Sequence, residues 1–413
     1  MSSKLESPWL IVSGGFHERG GMDKANFFLA QHLLDRGTPV HLVGHFIDAR
    51  LVNHPLATIH RIARPLHSYA LGAPLLAHSA QIVYRALRRT HPNVRAVANG
   101  GNCQLADVNW VHCVHRAWRP RNGEGPWWFQ LKRWFTHARA CRSEIRAFRR
   151  AHLIITNSNT TKHEVERGLG HTNGLIHTVY LGSDVGVTAP TPEEKLRARI
   201  DWGISPGRKV AVFVGALGFD GNKGFDTLFK IWRSLCSGPD WDVDLLVAGA
   251  GRALADWRAK VHTAGLGDRI RCLGFCDKIP SLLTAADVLI SPVRYEAYGL
   301  NVQEAICRGV PALTSARAGI AERYPGELKS MLFENPENVP GCMERIRLWR
   351  SQPEYWAEKF LRFGSSLRQR DWNIMAAELV AIIEQHCPLT AQSGVVARPA
   401  VRDTAIAAMK PSH

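Results

Sequence analysis

Short apolar runs of strand length, each followed by a turn and then a helical stretch, recur along this chain, and that alternation limits what it can fold into. The run Ala286 to Pro292 (ADVLISP) shows the pattern best. It reads as a buried parallel strand, because a strand covered on both faces is apolar throughout rather than alternating. Gly299 supplies the turn, Asn301 caps the next helix, and Val302, Ala305 and Ile306 form its apolar face. Gly309 ends that helix and Pro311 prevents it from resuming. Repeated strand, turn and helix units predict α/β architecture with doubly wound parallel sheets. No repeat with a period of 20 to 50 residues is visible, which argues against a solenoid.

A strand-to-helix turn leaves free N–H groups and the positive end of a helix at the carboxyl edge of a sheet, a setting that suits phosphate. Two carboxylates flank this turn, Glu296 in the loop and Glu304 in the helix, separated by seven residues. Both are placed to accept hydrogen bonds from sugar and ribose hydroxyls beside a bound anion. Asn301-x-x-Glu304 is equally the pattern of a capping box, in which Glu304 would only bond the Asn301 N–H.

The segment resembles the E-x7-E signature of the retaining glycosyltransferases of family 4, and further stretches agree in order. Trp9 to Gly15 followed by Arg19-Gly20-Gly21-Met22-Asp23 resembles the first strand and the glycine-glycine turn, with Phe28, Leu29 and Leu33 on one face of the helix that follows. Val94 to Gly101 and Trp110 to Trp118 resemble the next strands. There His115 falls where the family carries a histidine at a strand's end. Asn157-Ser158 and Leu181 to Asp184 match the last amino-terminal strand and the crossover. Val210 to Gly215, then Lys223-Gly224-Phe225-Asp226, resembles the start of the second domain, with Leu245 to Gly251 and Ile270 to Phe275 as its later strands. The likeness spans residues 9–387. One position departs from it: Ala216 stands where the family usually has an arginine paired with the lysine on the donor diphosphate.

The resemblance implies a GT-B fold, two Rossmann-like doubly wound domains facing across a cleft. An acceptor-side domain over 1–187 and a nucleotide-sugar domain over 188–387 are expected, with Thr188 to Glu194 as linker and Tyr355 to Cys387 returning to the first domain. Residues 388–413 read as a loose tail. The implied activity is transfer of a sugar from a nucleotide diphosphate sugar to an acceptor hydroxyl with retention, in cell-surface glycan or glycolipid synthesis. His115, Lys223 and Glu296 would be catalytic, and Gly20, Gly21, Ala297, Tyr298, Gly299, Leu300 and Glu304 would bind substrate. No cofactor or metal is expected beyond the donor substrate. Other chemistry on the same fold, an epimerase or a phosphorylase, and a degenerate nucleotide-sugar-binding protein are the alternatives.

Nine scattered cysteines without zinc-finger spacing imply reduced thiols and a reducing compartment. With no apolar stretch of spanning length, the chain reads as cytoplasmic. The formal net charge is +16, and the stretch Arg116 to Arg150 holds ten basic residues against Glu124 and Glu144, ten minus two or +8. Leu131, Trp134, Phe135, Ala138, Cys141, Ile145 and Phe148 recur there at helical spacing after Trp127-Trp128-Phe129. That pattern suits a helix packed on its own domain or one lying on an anionic membrane surface, and in a third arrangement the helix packs inward while the aromatic loop before it touches lipid. Nucleic acid is not expected as a partner, because no recognition motif accompanies the charge.

Overall fold

The computed structural model describes residues 7–118, 127–170, 175–238 and 240–388. Residues 119–126, with Arg119, Arg121 and Glu124 of the basic stretch, and residues 389–413 lie outside the described residues. Two parallel sheets form the framework. The first contains β1 (Trp9–Val12), β2 (Val40–Gly44), β3 (Ala57–Arg61), β4 (Arg95–Asn99), β5 (Val108–Val111), β6 (Leu153–Thr156) and β7 (Leu175–Thr178). Their order is β3-β2-β1-β4-β5-β6-β7. The second contains β8 (Lys209–Val214), β9 (Val243–Ala248), β10 (Ile270–Gly274), β11 (Val288–Ser291), β12 (Ala312–Ser315) and β13 (Leu332–Phe333), ordered β10-β9-β8-β11-β12-β13. Both sheets are wound outward in two directions, so each has one place where consecutive connections leave on opposite faces. Those places lie between β1 and β4, and between β8 and β11. Open parallel sheets bind ligands at this point, outside the carboxyl ends of the strands.

The helices that matter for the site are α1 (Gly21–Asp35), α2 (Tyr69–Thr90), α3 (Trp127–Arg150), α4 (Asn159–Leu169), α5 (Phe225–Leu235), α6 (Leu300–Cys307), α7 (Pro353–Arg368) and α8 (Trp372–His386). Strand cores such as Leu10, Ile11, Val212, Leu289 and Ile290 are fully buried, as near-continuous apolar runs require. Helix α7 packs on α6, and α8 then crosses back to pack on α1. There Phe28 and Trp372 stack with ring centroids 5.2 Å apart, and the Trp372 Nε1–H donates to Asp184 at 2.8 Å. Asp371 caps α8 by accepting from the Ile374 N–H. Thr188 to Glu194 is shorter as a linker than its composition suggests, because Thr191 and Glu194 form a capping box and the helix Pro192–Asp201 begins inside it.

Polar contacts join the two domains. The Val114 N–H donates to the Tyr295 hydroxyl at 2.7 Å, and the Ser158 Oγ–H and Thr161 Oγ1–H both donate to the Ala297 carbonyl, at 2.8 and 3.1 Å. The Asn159 and Thr160 amides donate to the Glu322 carboxylate.

The two loops that leave the second sheet at its reversal are held against each other. The Arg294 guanidinium forks onto Asp226 at 2.8 and 2.7 Å, and its amide donates to the Asn222 carbonyl at 2.9 Å. Gly224 starts α5 with φ 72°, and a Cβ there would lie 1.9 Å from the Pro292 carbonyl oxygen. Only glycine meets both conditions. Replacing Gly224 by Ala is expected to cost at least about 2 kcal/mol in urea unfolding, through forced separation of the two loops. A variant as stable as wild type would show that the loops do not need this close approach.

Candidate active site

The loop from Gly215 to Gly224 and the loop from Pro292 to Gly299 meet where β8 and β11 part. Lys223 from the first forms an ion pair with Glu296 from the second. Burial opposes the charge on Lys223, but the Glu296 carboxylate prevails and holds the ammonium above the ordinary lysine value. Asp220 and Cys113 add to the same effect, so Lys223 stands between its own loop and the first domain.

Helix α6 begins differently from the expectation. Its N-cap is Gly299, with φ 106°, and no side chain caps it. Asn301 lies inside the helix, and its Nδ2–H donates to the Val214 carbonyl at 2.9 Å, tying α6 to the end of β8. The capping box is therefore absent, and Glu304 is released from that structural duty. Glu304 instead faces Lys24 of α1, 3.8 Å from its Nζ, while Lys24 lies 2.6 Å from Asp184. Burial pushes the Glu304 carboxyl up; Lys24 opposes the shift and Asp184 adds to it. The start of α6 also looks across the cleft at the glycine turn: a Cβ on Gly21 would sit 3.8 Å from Leu300 Cδ2. Gly20, with φ 82°, makes that turn.

The remaining expected residues are spread over this wall. The Ala297 carbonyl is taken by Ser158 and Thr161 of the first domain. Tyr298 is buried, its hydroxyl bonded to Gln303 and Arg323, and burial pushes it up to about 12. It shapes the wall and offers no hydroxyl to a ligand. Among the described residues, the amides of Leu300 and Asn301 find no acceptor in the chain, as the open end of a helix requires.

On the first domain, β5 ends at Val111, so His115 is not at the strand's end but in the following helical turn, His115–Ala117. The buried Glu144 of α3 accepts from the His115 amide at 2.9 Å and lies 3.2 Å from its Nδ1. That carboxylate selects the tautomer with the proton on Nδ1 and leaves Nε2 as an acceptor. The residue that does follow the strand is His112, which the sequence reading passed over. Burial drives it down to about 3, so it is neutral, and among the described residues its Nε2 has no partner. Its place directly after an apolar strand was the available signal.

Two facing doubly wound domains with a lysine and two carboxylates at the switch point define the class: a GT-B architecture. Solved structures agree on the fold. WaaG, a glycosyltransferase involved in lipopolysaccharide biosynthesis, is 18% identical with a TM-score of 0.71, over 91% of this chain and 99% of its own. Sucrose-phosphate synthase from Thermosynechococcus elongatus is 19% identical with a TM-score of 0.72, over 92% and 98%. The family profile for glycosyl transferases group 1 matches residues 194–364, and that for glycosyltransferase family 4 matches residues 19–187. The chain belongs to the family 4 type of glycosyltransferase. Curated relatives include 2-deoxystreptamine N-acetyl-D-glucosaminyltransferase from Streptomyces fradiae, 29% identical over 48% of this chain and 47% of its own. Another is 2-deoxystreptamine glucosyltransferase from Streptomyces kanamyceticus, 31% identical over 49% and 52%. The chain spans about half the length of these curated relatives.

Beside the site, Glu164 of α4 lies against the Tyr295 hydroxyl, and burial pushes its carboxyl up from 4.5 to about 7. A carboxyl with a raised folded value favours folding while protonated, and that contribution is lost as pH rises through 7. Wild type is expected to lose about 2 kcal/mol relative to Glu164→Gln between pH 5 and pH 8. Parallel stability curves for the two proteins would place Glu164 in solvent-like surroundings.

Proposed function

We propose that this protein transfers a sugar, with retention, from a nucleotide diphosphate sugar to an acceptor hydroxyl. The observation that carries the reading is the meeting of Lys223 and Glu296 at the sheet reversal, beside the free amides of α6 and opposite His115. In the reaction the bond from the anomeric carbon to the phosphate oxygen breaks and its electron pair stays on that oxygen. The acceptor oxygen bonds to the anomeric carbon on the same face, and its proton passes to the departing phosphate. Negative charge grows on the phosphate, so the largest gain comes from cations and N–H groups waiting there. Lys223 and the start of α6 supply them, and Gly20 and Gly21 let backbone approach from the other domain. Once a donor is bound, Glu296 turns to the sugar hydroxyls beside the backbone of Ala297 to Leu300. Glu304 holds the ribose hydroxyls, and the His115 Nε2 accepts from the sugar. No metal takes part in this reading.

In excess EDTA, Lys223→Ala and His115→Ala are each expected to lower turnover at least tenfold, about 1.4 kcal/mol of transition-state stabilisation. Glu304→Gln should weaken nucleotide binding without lowering the melting temperature, because the glutamate caps nothing. Wild-type rates in the first two variants, or wild-type nucleotide affinity in the third, count against these roles. Donor incubated alone separates transfer from epimerisation, since an epimerase needs no acceptor.

The acceptor in this reading is lipid-linked or lies at an anionic membrane surface. Among the described residues no helix is long and apolar enough to cross a membrane, so contact would be peripheral. Support comes from α3, whose two ends behave differently. Toward its carboxyl end Ala147 and Phe148 are buried, whereas Trp127, Trp134 and Phe135 near its start are 76%, 62% and 59% exposed. By helical spacing the exposed Arg142, Arg146 and Arg149 continue the same outward face. Aromatic rings followed by guanidinium groups along one face suit the lipid interface, where each basic residue contributes about 1 kcal/mol. The aromatic segment thus belongs to the helix itself and not to a loop before it. Replacing Arg139, Arg142, Arg146 and Arg149 by Gln should reduce flotation with anionic vesicles and keep nucleotide affinity. Wild-type protein that ignores such vesicles at low salt would favour a soluble acceptor.

A further inference from the structure

The charge at the diphosphate end of the cleft does not balance. Lys223 is the cation of the loop from Gly215 to Gly224 itself, yet Glu296 and Asp220 both act on it, so this positive charge already faces two carboxylates before any anion arrives. Arg294 beside it is taken by Asp226 and Glu337, and Arg133 of α3 donates to the Phe219 carbonyl. Ala216, exposed on the same loop, adds nothing. A leaving diphosphate in this setting needs a second positive group from a neighbouring element.

Arg252 has the required position. It follows β9, the strand beside β8, and its backbone is pinned to the Ala216 loop from both sides. The Leu217 amide donates to the Ala250 carbonyl, and the Ala253 amide donates to the Leu217 carbonyl, each at 3.0 Å. A Cβ on Gly251 would lie 2.1 Å from the Leu217 carbonyl oxygen, so the two loops touch at that point. Arg252 is exposed, and among the described residues it has no carboxylate partner. Its guanidinium lies over the Phe129 ring of α3, 5.4 Å from the centroid, and Phe129 in turn meets Phe219 of the loop at 5.7 Å. Stacking on an aromatic face leaves the in-plane N–H groups of a guanidinium free to donate.

We propose that Arg252 is the second cation of the diphosphate site, supplying from the adjacent loop what Ala216 does not. The inference rests on the donor reading given above and goes beyond it by naming the residue and its origin. Guanidinium N–H groups match two phosphate oxygens at once, which a lysine cannot do. Because Phe129 belongs to the first domain, the guanidinium is held ready only while the two domains face each other across the cleft.

Isothermal titration of wild type, Arg252→Gln and Arg252→Lys with UDP, GDP, ADP and dTDP, and with the matching nucleosides, tests this. For the diphosphate that wild type binds, Arg252→Gln should weaken affinity at least tenfold, and Arg252→Lys should recover part of the loss. Affinity for the nucleoside should change less than twofold, since it carries no phosphate. Equal losses for diphosphate and nucleoside would make Arg252 a merely structural residue and overturn the inference, as would unchanged diphosphate affinity in Arg252→Gln. Wild-type binding of none of the four diphosphates would overturn the donor reading itself, and this inference with it.

Discussion

Parallel strands cannot be joined by tight turns, and every other feature of the site follows from that constraint. Each connection must cross a face of the sheet, and winding in two directions leaves a place where neighbouring loops diverge. Between β8 and β11 those loops carry Lys223 and Glu296, 73 residues apart in sequence. The bidentate pair of Arg294 with Asp226 stops the loops from spreading further, and it is largely buried. Breaking such a pair leaves an uncompensated charge, so loop separation is resisted more strongly than a surface contact could manage.

The two domains meet through hydrogen bonds at the cleft, through the Phe129–Phe219 contact and through the return of α8 onto α1. The contacts at the cleft lie next to the site itself: Tyr295 directly precedes Glu296, and the Ala297 carbonyl follows it. Any ligand that moves the Glu296 loop therefore acts directly on the bonds that hold the first domain in place. Phe129, Phe219 and Arg252 extend this link to the outer edge, where α3 carries its exposed aromatic face.

Charge explains why Lys223 and Glu296 pair in the free protein. An ammonium and a carboxylate at a cleft each lose hydration, and the pair restores part of what was lost. In the proposed reading a diphosphate would compete for the lysine and sugar hydroxyls for the glutamate, so that one donor would replace both halves of the pair. Lys24 plays a similar part for Glu304, holding near the second carboxylate a positive charge that comes from the opposite domain.

The sequence by itself determined the strands, their α/β alternation and the two loops that carry the site. Apolar runs, glycines and breakers act locally, and they place Lys223 and Glu296 on strand-to-helix turns and Glu304 in the helix that follows, without reference to distant residues. Local pattern was insufficient where two readings shared one spacing. Asn301 and Glu304 have the spacing of a capping box, but Val214, 87 residues away, takes the Asn301 side chain and lets Gly299 begin the helix. The spacing in α3 could not say which part of its stripe is buried, because that depends on the chain turn at Gly101, which sits against Glu144. Nor could it show that His115 is oriented by Glu144. Periodicity reports which residues share a face; what that face meets is decided by elements far away in the chain, and only the tertiary structure brings them together.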